Sequence, residues 1–129
     1  MRAVDTNVIV RYLTGDDPVQ AEKARALIER EPVFVPRTVV LEVEWVLRGV
    51  YAMPASKVIP TLRALAGLPS VSVEDASMVA RAMDWAEEGM DFADALHLAA
   101  AAECKRFITF DKRFVRSAAR RSSVEVTLP

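Results

Sequence analysis

Short apolar runs alternate with amphipathic stretches along most of the chain. The apolar runs are typical of buried strands, and apolar residues spaced three and four apart are typical of helices that cover a core. The runs predict strands at Arg2–Asp5, Val33–Val35, Ser70–Val73, Arg106–Phe110 and Val124–Leu128. The amphipathic stretches predict helices at Asn7–Leu13, Val19–Arg30, Thr38–Tyr51, Ser56–Ala66, Glu74–Glu88, Asp91–Glu103 and Lys112–Arg120. Strands that alternate with helices predict an α/β fold with a parallel sheet and helices on both of its faces.

Polar residues at several predicted helix starts indicate N-terminal caps. Thr38 and Ser56 have side chains of the preferred capping type, so we expect each to cap the helix that it opens. Asp91 is expected to cap the alanine-rich helix, and Gly89 to end the helix before it.

Length and charge limit the classes of protein. A chain of 129 residues without a Gly/Ser linker or an internal repeat predicts a single domain, residues 1–129. The formal net charge of −1 argues against a protein that coats nucleic acid generally, although it leaves room for an enzyme with a local basic edge.

The single cysteine and the lengths of the apolar runs indicate the cellular compartment in which the protein works. Cys104 cannot form an internal disulfide and has no partner with zinc-ligand spacing, so we expect it to be a small buried apolar residue. No run reaches the roughly 18 apolar residues of a membrane span, and the N-terminus does not resemble a signal peptide. The expectation is a cytoplasmic protein without a membrane partner.

Four acidic residues carry the candidate chemistry: Asp5, Glu42, Asp94 and Asp111. Asp5 and Asp111 follow predicted strands, and ligands of parallel sheets bind beyond the carboxyl ends of the strands. Carboxylates gathered at one place repel one another, so a fold that clusters them needs a cation. Oxygen ligands without a His or Cys cluster favour Mg²⁺ or Mn²⁺, which predicts an enzyme that acts on phosphodiesters.

Each acid also has an ordinary structural interpretation. Asp5 and Asp111 are suited to cap the helices that follow them. Glu42 has no basic residue three or four positions away, so it needs a distant salt bridge or a cation if it is buried. Glu44 differs, because Arg48 four residues later gives it a surface ion pair. Asp91 is assigned mainly to the cap of its helix and Asp94 mainly to the metal.

Other polar residues have open roles. Thr109 is suited to bond a ligand or a metal-bound water, or only the backbone. His97, the single histidine, fits a packing or surface position better than a catalytic one. The basic residues near Asp111 are suited to bind phosphate, or they form a solvated helix face; together with Arg11 they are Lys112, Arg113, Arg116, Arg120 and Arg121.

Four short motifs in this order resemble the PIN-domain family, in particular the VapC-type toxins of bacterial toxin–antitoxin pairs. They are VDTNV with Asp5, VVLEVEWVL with Glu42, ADALHLAAA with Asp94 and ITFDKRF with Asp111. The resemblance covers nearly the whole chain. It implies a three-layer α/β/α sandwich with a central parallel sheet and an acidic pocket that binds Mg²⁺ or Mn²⁺.

The activity that the resemblance implies is endoribonuclease cleavage, often of tRNA, by metal-activated water. It would leave 5′-phosphate and 3′-hydroxyl ends. The four acids match the catalytic metal ligands of the family, and Asn7 and Thr109 match positions that support the site. Asp91 matches an additional acid whose role varies, either metal ligand or helix cap.

The resemblance also implies a homodimer and a small VapB-like antitoxin that lies along the toxin. The helices Val19–Arg30 and Val39–Tyr51 carry apolar residues suited to such a groove, although core packing explains them equally well; these are Leu27, Ile28, Val46 and Val50.

Three other classes stay open: a catalytically silent PIN-fold binding module, a DNA nuclease, and a receiver-like phospho-acceptor domain. The receiver is the weakest, because the mid-chain acid is Glu42 and not an acceptor aspartate.

Overall fold

A computed structural model describes all residues, Met1–Pro129. The chain divides into two compact units, Met1–Ala76 and Ser77–Pro129, called here unit 1 and unit 2. Each is described by itself.

Unit 1 contains three strands and four helices. In chain order they are β1 (Arg2–Ala3), α1 (Thr6–Thr14), α2 (Pro18–Arg30), β2 (Val33–Val35), α3 (Arg37–Gly49), α4 (Ala55–Ala66) and β3 (Val71–Val73). Helix α2 begins where a proline suits the first turn, and Asp17 caps it by accepting a hydrogen bond from the amide of Gln20.

The three strands form one parallel sheet in the order β1-β2-β3. Val33 and Val35 of the central strand share one face of the sheet and have no exposed surface, while Phe34 on the other face is partly exposed. One residue beyond the strands, the amide of Val4 still donates to the carbonyl of Phe34 at 3.1 Å. Asp5 is therefore the first residue after β1 to leave the sheet, at its carboxyl edge.

The core of unit 1 lies where the helices contact the sheet and one another. Helix α1 contacts both α2 and α3, and α3 contacts α4. The buried helical side chains repeat at the spacing of one helix face, and they include Ile9, Ile28, Val43, Leu47 and Leu62.

Unit 2 contains three helices and a parallel pair of strands. They are α5 (Ala76–Glu87, with its first residue in unit 1), α6 (Phe92–Ala100), β4 (Arg106–Ile108), α7 (Lys112–Ala118) and β5 (Glu125–Thr127). Phe107 of β4 packs on Phe114 of α7 with ring centroids 5.2 Å apart. This contact fixes α7 against one face of its strand pair.

Two predicted caps are wrong. Helix α3 begins at Arg37 and α4 at Ala55, and the residues before them, Pro36 and Pro54, have no side-chain acceptor for a capping hydrogen bond. Thr38 and Ser56 therefore lie inside the first turns. A proline sets the start of each helix because its fixed φ suits an extended residue that leads into the first turn.

Several predicted boundaries are also too wide. Helix α5 begins at Ala76 and not Glu74, because Glu74 extends the β3 pairing and Asp75 has a positive φ of 48°. Helix α6 ends at Ala100, three residues before the predicted Glu103. The prediction that Cys104 is buried is wrong as well, since Cys104 is exposed in the segment after α6.

The predicted fold class is confirmed. All strand pairs are parallel, and the chain alternates between strands and helices. None of the helices has both the length and the apolar character needed to cross a membrane.

Candidate active site

Asp5 lies exposed at the carboxyl edge of the unit 1 sheet and caps α1. Its Oδ1 accepts a hydrogen bond from the amide of Val8 at 3.1 Å. The cap explains why the chain turns from strand to helix here. It occupies one carboxylate oxygen, and Oδ2 forms no bond within the chain. The two interpretations of Asp5, helix cap and metal ligand, are therefore compatible.

A groove of about 350 Å³ opens beside Asp5, between α1 and α2. Asp5 and Asn7 line one part of it, and Lys23, Ala24 and Leu27 line another. The lining therefore contains a carboxylate, an amide, a positive charge and apolar side chains. Such a groove suits a ligand with both polar and apolar parts.

Arg11 also lines this groove, but its guanidinium is committed to partners within unit 1. Its Nη1 lies 2.9 Å from Asp16 Oδ1, and its Nε donates to Gln20 at 2.8 Å. The hydroxyl of Tyr51 donates to Asp16 Oδ2 at 2.5 Å. The hydrogen bond from Tyr51 and the charge of Arg11 lower the pKa of Asp16 despite its partial desolvation. This arrangement favours a structural role for Arg11, and its RNA contact stays a prediction.

The expected environments of Glu42 and Glu44 are reversed. Glu42 is exposed and forms no ion pair in the chain, so the argument that it must overcome burial is wrong. Glu44 is the buried one, with 5% of its surface accessible, and it accepts from Arg48 Nε at 2.9 Å. The pair with Arg48 is confirmed, but it is not a surface pair. Glu42 is left with a carboxylate that is accessible to a ligand.

The sheet edge of unit 1 carries two more acids that the sequence did not single out. Glu74 follows β3 and accepts a hydrogen bond from the amide of Arg37 at 3.0 Å. The side chain of Arg37 forms an ion pair with Asp75. Both carboxylates therefore stabilise the start of α3. Only their position after a predicted strand could have indicated this from sequence.

The three acids of unit 2 stand at helix starts. Asp91 caps α6 by accepting from the amide of Asp94 at 3.1 Å. Asp111 caps α7 by accepting from the amides of Arg113 and Phe114 at 2.9 and 3.2 Å. The predicted caps at Asp91 and Asp111 are confirmed. Asp94 lies in the first turn of α6, where a negative charge also interacts favourably with the helix dipole.

The Asp94 carboxyl has a pKa that is raised by its surroundings. Partial burial raises its pKa above the usual value, and the negative charges of Asp91 and Asp111 raise it further. The charges of His97 and Arg113 offset part of this effect. The Asp94 carboxylate thus feels the negative charges of Asp91 and Asp111, and a bound cation would relieve this repulsion.

Basic side chains extend from the start of α7. Lys112, Arg113 and Arg116 are exposed and form no ion pair within the chain. Arg121 is different, since it is bound to Glu88 at 3.0 Å. Thr109 accepts from the amide of Asp111 at 3.0 Å, which fixes the turn that presents this acid. His97 is exposed, which agrees with the prediction of a packing or surface position.

In neither unit do three or more Asp, Glu, His or Cys side chains gather closely enough to hold a metal ion between them. The predicted four-residue set is divided, with Asp5 and Glu42 in unit 1 and Asp94 and Asp111 in unit 2. All four residues would bind a metal through carboxylate oxygens, the donor type that Mg²⁺ and Mn²⁺ prefer. The assignment of these four residues to one metal site stays a prediction.

Parallel strands followed by carboxylates, with Asp5 after β1 and Asp111 after β4, define an α/β protein with acids at the carboxyl ends of its strands. The sequence model of the PIN domain matches residues 2–119, and the chain belongs to the PIN-domain family. PIN domains are generally nucleases, hydrolases that use divalent metal ions on RNA or other nucleic acid. No curated protein matches the chain by sequence. The family excludes the receiver-like alternative.

Proposed function

We propose that the protein is a Mg²⁺- or Mn²⁺-dependent endoribonuclease and the toxin of a toxin–antitoxin pair. The observation that carries the proposal is the electrostatic state of Asp94, whose pKa is raised by burial and by the charges of Asp91 and Asp111. A fold gains nothing in stability by keeping such repulsion, so a cation partner is the simplest reason for it. Membership of the PIN family supports a catalytic metal as that partner, because PIN nucleases generally use divalent metal ions.

The residues that would hold the ion are Asp5, Glu42, Asp94 and Asp111, with Asp91 as an additional ligand or only the cap of α6. Their motifs and order match the family's acidic positions. Asn7 and Thr109 would support the set, Thr109 by holding the turn that carries Asp111. Two of the four acids also cap helices through one oxygen, which stabilises the orientation of the other.

A bound divalent ion would supply positive charge for water activation and for the phosphate oxygens. The chain itself would orient that charge through its carboxylates and bind the RNA backbone through exposed cations. Lys112, Arg113 and Arg116 are available for phosphate, because no acid of the chain pairs with them. No side chain needs to act on the ribose 2′-hydroxyl, so the expected products are 5′-phosphate and 3′-hydroxyl ends.

The partners belong to the proposal too. A VapB-like antitoxin would inhibit the toxin, and the groove between α1 and α2 is the surface of unit 1 best suited to its extended segment. The groove proposed from sequence needs revision, because Ile28 is fully buried while Val50 is exposed. A homodimer and a cytoplasmic RNA substrate such as tRNA complete the proposal. A short gene for a DNA-binding antitoxin directly upstream would support it.

The decisive experiment compares Asp5→Asn, Glu42→Gln and Asp94→Asn with the wild type on total RNA in Mn²⁺ and in EDTA, followed by mapping of the new ends. Each variant keeps the side-chain shape but loses a ligand charge, so we expect cleavage to fall at least 100-fold, the scale on which the loss of a charged metal contact acts. The fold should persist, because Asp5→Asn keeps the capping oxygen, and neither Glu42 nor Asp94 caps a helix.

The chain offers a matched control in Asp17. It caps α2 as Asp5 caps α1, with an oxygen 3.1 Å from the amide three residues later in both. Asp17→Asn should therefore reproduce any effect on the helix cap without loss of cleavage. Full activity in all three active-site variants would contradict the metal-site assignment. A folded wild type that cleaves no RNA would instead favour the silent binding module.

A further inference from the structure

Phe110 is the most exposed large apolar residue of the protein, with 86% of its surface accessible. Ile108, two residues earlier, is 53% accessible. An aromatic side chain in this position lacks the apolar contacts that normally stabilise a folded chain. Single exposed apolar residues are common, so the case depends on what surrounds this one.

The turn that carries Phe110 is fixed by hydrogen bonds on its C-terminal side. The amide of Asp111 donates to Thr109, and the Asp111 carboxylate caps α7. The aromatic contact of this region is made by Phe107 with Phe114. Phe110 takes no part in that contact, and its ring is accessible to a ligand.

The neighbours of Phe110 in the chain are polar groups suited to nucleic acid. Asp111, a proposed metal ligand, follows it directly. Lys112 and Arg113 come next, exposed and without an ion pair, and Arg116 extends the same helix. An aromatic ring, a carboxylate and several cations thus occur within seven consecutive residues at the carboxyl end of β4.

We propose that Phe110 is a base-stacking residue that positions one unpaired nucleotide next to the phosphate to be cleaved. The inference rests on the proposed ribonuclease function and adds a substrate requirement, namely a base that is free to leave its helix. Proteins bind single-stranded RNA through stacking on aromatic side chains combined with cations that follow the backbone. Phe110 and the start of α7 supply both parts.

Charge complementarity favours RNA over a protein partner at this surface. An apolar peptide would cover Phe110 and Ile108 but leave the adjacent cations without counterions. An RNA strand would satisfy both, because its phosphates neutralise Lys112 and Arg113 while a base covers the ring.

The test uses single-stranded oligoribonucleotides that carry 2-aminopurine on either side of the cleavage site mapped for the wild type. Binding is measured in EDTA, where the RNA stays intact, by quenching of 2-aminopurine on stacking. The variants are Phe110→Ala, Phe110→Leu and Phe110→Tyr. Leucine keeps the apolar character without an aromatic face, and tyrosine keeps the ring.

We expect Phe110→Ala and Phe110→Leu to weaken binding about 5- to 100-fold, the range for loss of one stacked base, and to lose the quenching. Phe110→Tyr should restore both. In Mg²⁺ the same two variants should show a raised KM for single-stranded RNA. Because the side chain is exposed, thermal unfolding of all three should match the wild type.

The outcomes separate this inference from the proposed function. A wild type that binds and cleaves RNA, with Phe110→Ala or Phe110→Leu equal to it, would overturn the stacking role alone. A wild type that neither binds nor cleaves RNA would overturn both. A change of oligomeric state in Phe110→Ala, with unchanged RNA binding, would assign the residue to a contact between copies of the chain.

Discussion

At the scale of single residues, three of the proposed acids have two tasks that do not conflict. Asp5, Asp91 and Asp111 each use one carboxylate oxygen to accept backbone amides at a helix start. The other oxygen of each forms no bond within the chain. A cap therefore fixes the side chain in one orientation while it leaves an acceptor for a ligand. Asp94 accepts no such bond, and it bears the unfavourable charge interactions.

This difference predicts the effect of Asp94→Asn on stability without metal. The raised pKa means that the folded state disfavours the ionised carboxylate, so the charge destabilises the protein above that pKa. In EDTA at pH 7 the variant should melt about 1 °C higher than the wild type, a small effect because Asp94 is only partly buried and solvent screens the charges around it. The difference should shrink as the pH falls through the raised folded-state pKa, and it should vanish below the ordinary pKa of an unfolded aspartate, where Asp94 is protonated in both states. Differential scanning fluorimetry measures it.

Addition of Mg²⁺ should reverse the order. The wild type should gain stability through ion binding, and Asp94→Asn should gain much less. Glu103→Gln is the control, since Glu103 is exposed in the same unit and forms no ion pair. A lower melting temperature for Asp94→Asn in EDTA would contradict the inferred repulsion.

At the scale of secondary structure, the start of α3 shows how a contact distant in sequence replaces a local cap. The sequence favours Thr38, yet the first helical amide, that of Arg37, donates to Glu74 of the β3 end. The ion pair between Arg37 and Asp75 strengthens the same junction. Sheet pairing brings Glu74 to this place, so a local pattern could not predict it.

We therefore expect Glu74→Ala to lower the free energy of unfolding by about 1 kcal/mol, the usual cost of a lost helix cap. Thr38→Ala should change it by less than about 0.5 kcal/mol, as for other surface positions. Urea denaturation followed by circular dichroism gives both values. Glu74→Gln keeps an acceptor oxygen and should stay close to the wild type. A larger loss for Thr38→Ala than for Glu74→Ala would restore Thr38 as the cap.

Element types could be predicted from sequence, but the environments of individual side chains could not. Apolar spacing identified every strand and helix, because it reflects the face that each element buries. The same reasoning reversed Glu42 and Glu44, since both lie on the edge of the apolar stripe of α3. A rotation of the helix by a fraction of a turn decides which of them is covered.

The strand before Asp111 also shows that the exposure of single side chains is hard to predict, although the alternation of its residues gives some information. It was predicted as Arg106–Phe110, whereas β4 ends at Ile108 and Phe110 lies in the turn. Side chains alternate between the two faces of a strand, and Arg106 is exposed and paired with Glu125. Ile108 and Phe110 share its parity. A charged residue at Arg106 could therefore have indicated from sequence that the face with Ile108 meets solvent, and that Phe110 would do so if the strand continued.

At the scale of the whole molecule, the single-domain prediction is independent of the site and has its own test. Unit 2 alone is shorter than the roughly 60 residues at which a lone domain becomes marginal, and its sheet has only two strands. A parallel pair of that size needs further packing to be stable. We therefore expect units 1 and 2 to unfold together.

The chain has two tryptophans, and each unit contains one of them. Trp45 of α3 reports on unit 1, and Trp85 of α5 reports on unit 2. In Trp45→Phe and in Trp85→Phe, the remaining tryptophan's fluorescence should change at the same urea concentration as the circular dichroism of the helices. Such coincidence is the signature of one cooperative transition. Separate midpoints in either variant would show that the units are two domains, and the acids of units 1 and 2 would then need RNA or metal to act together.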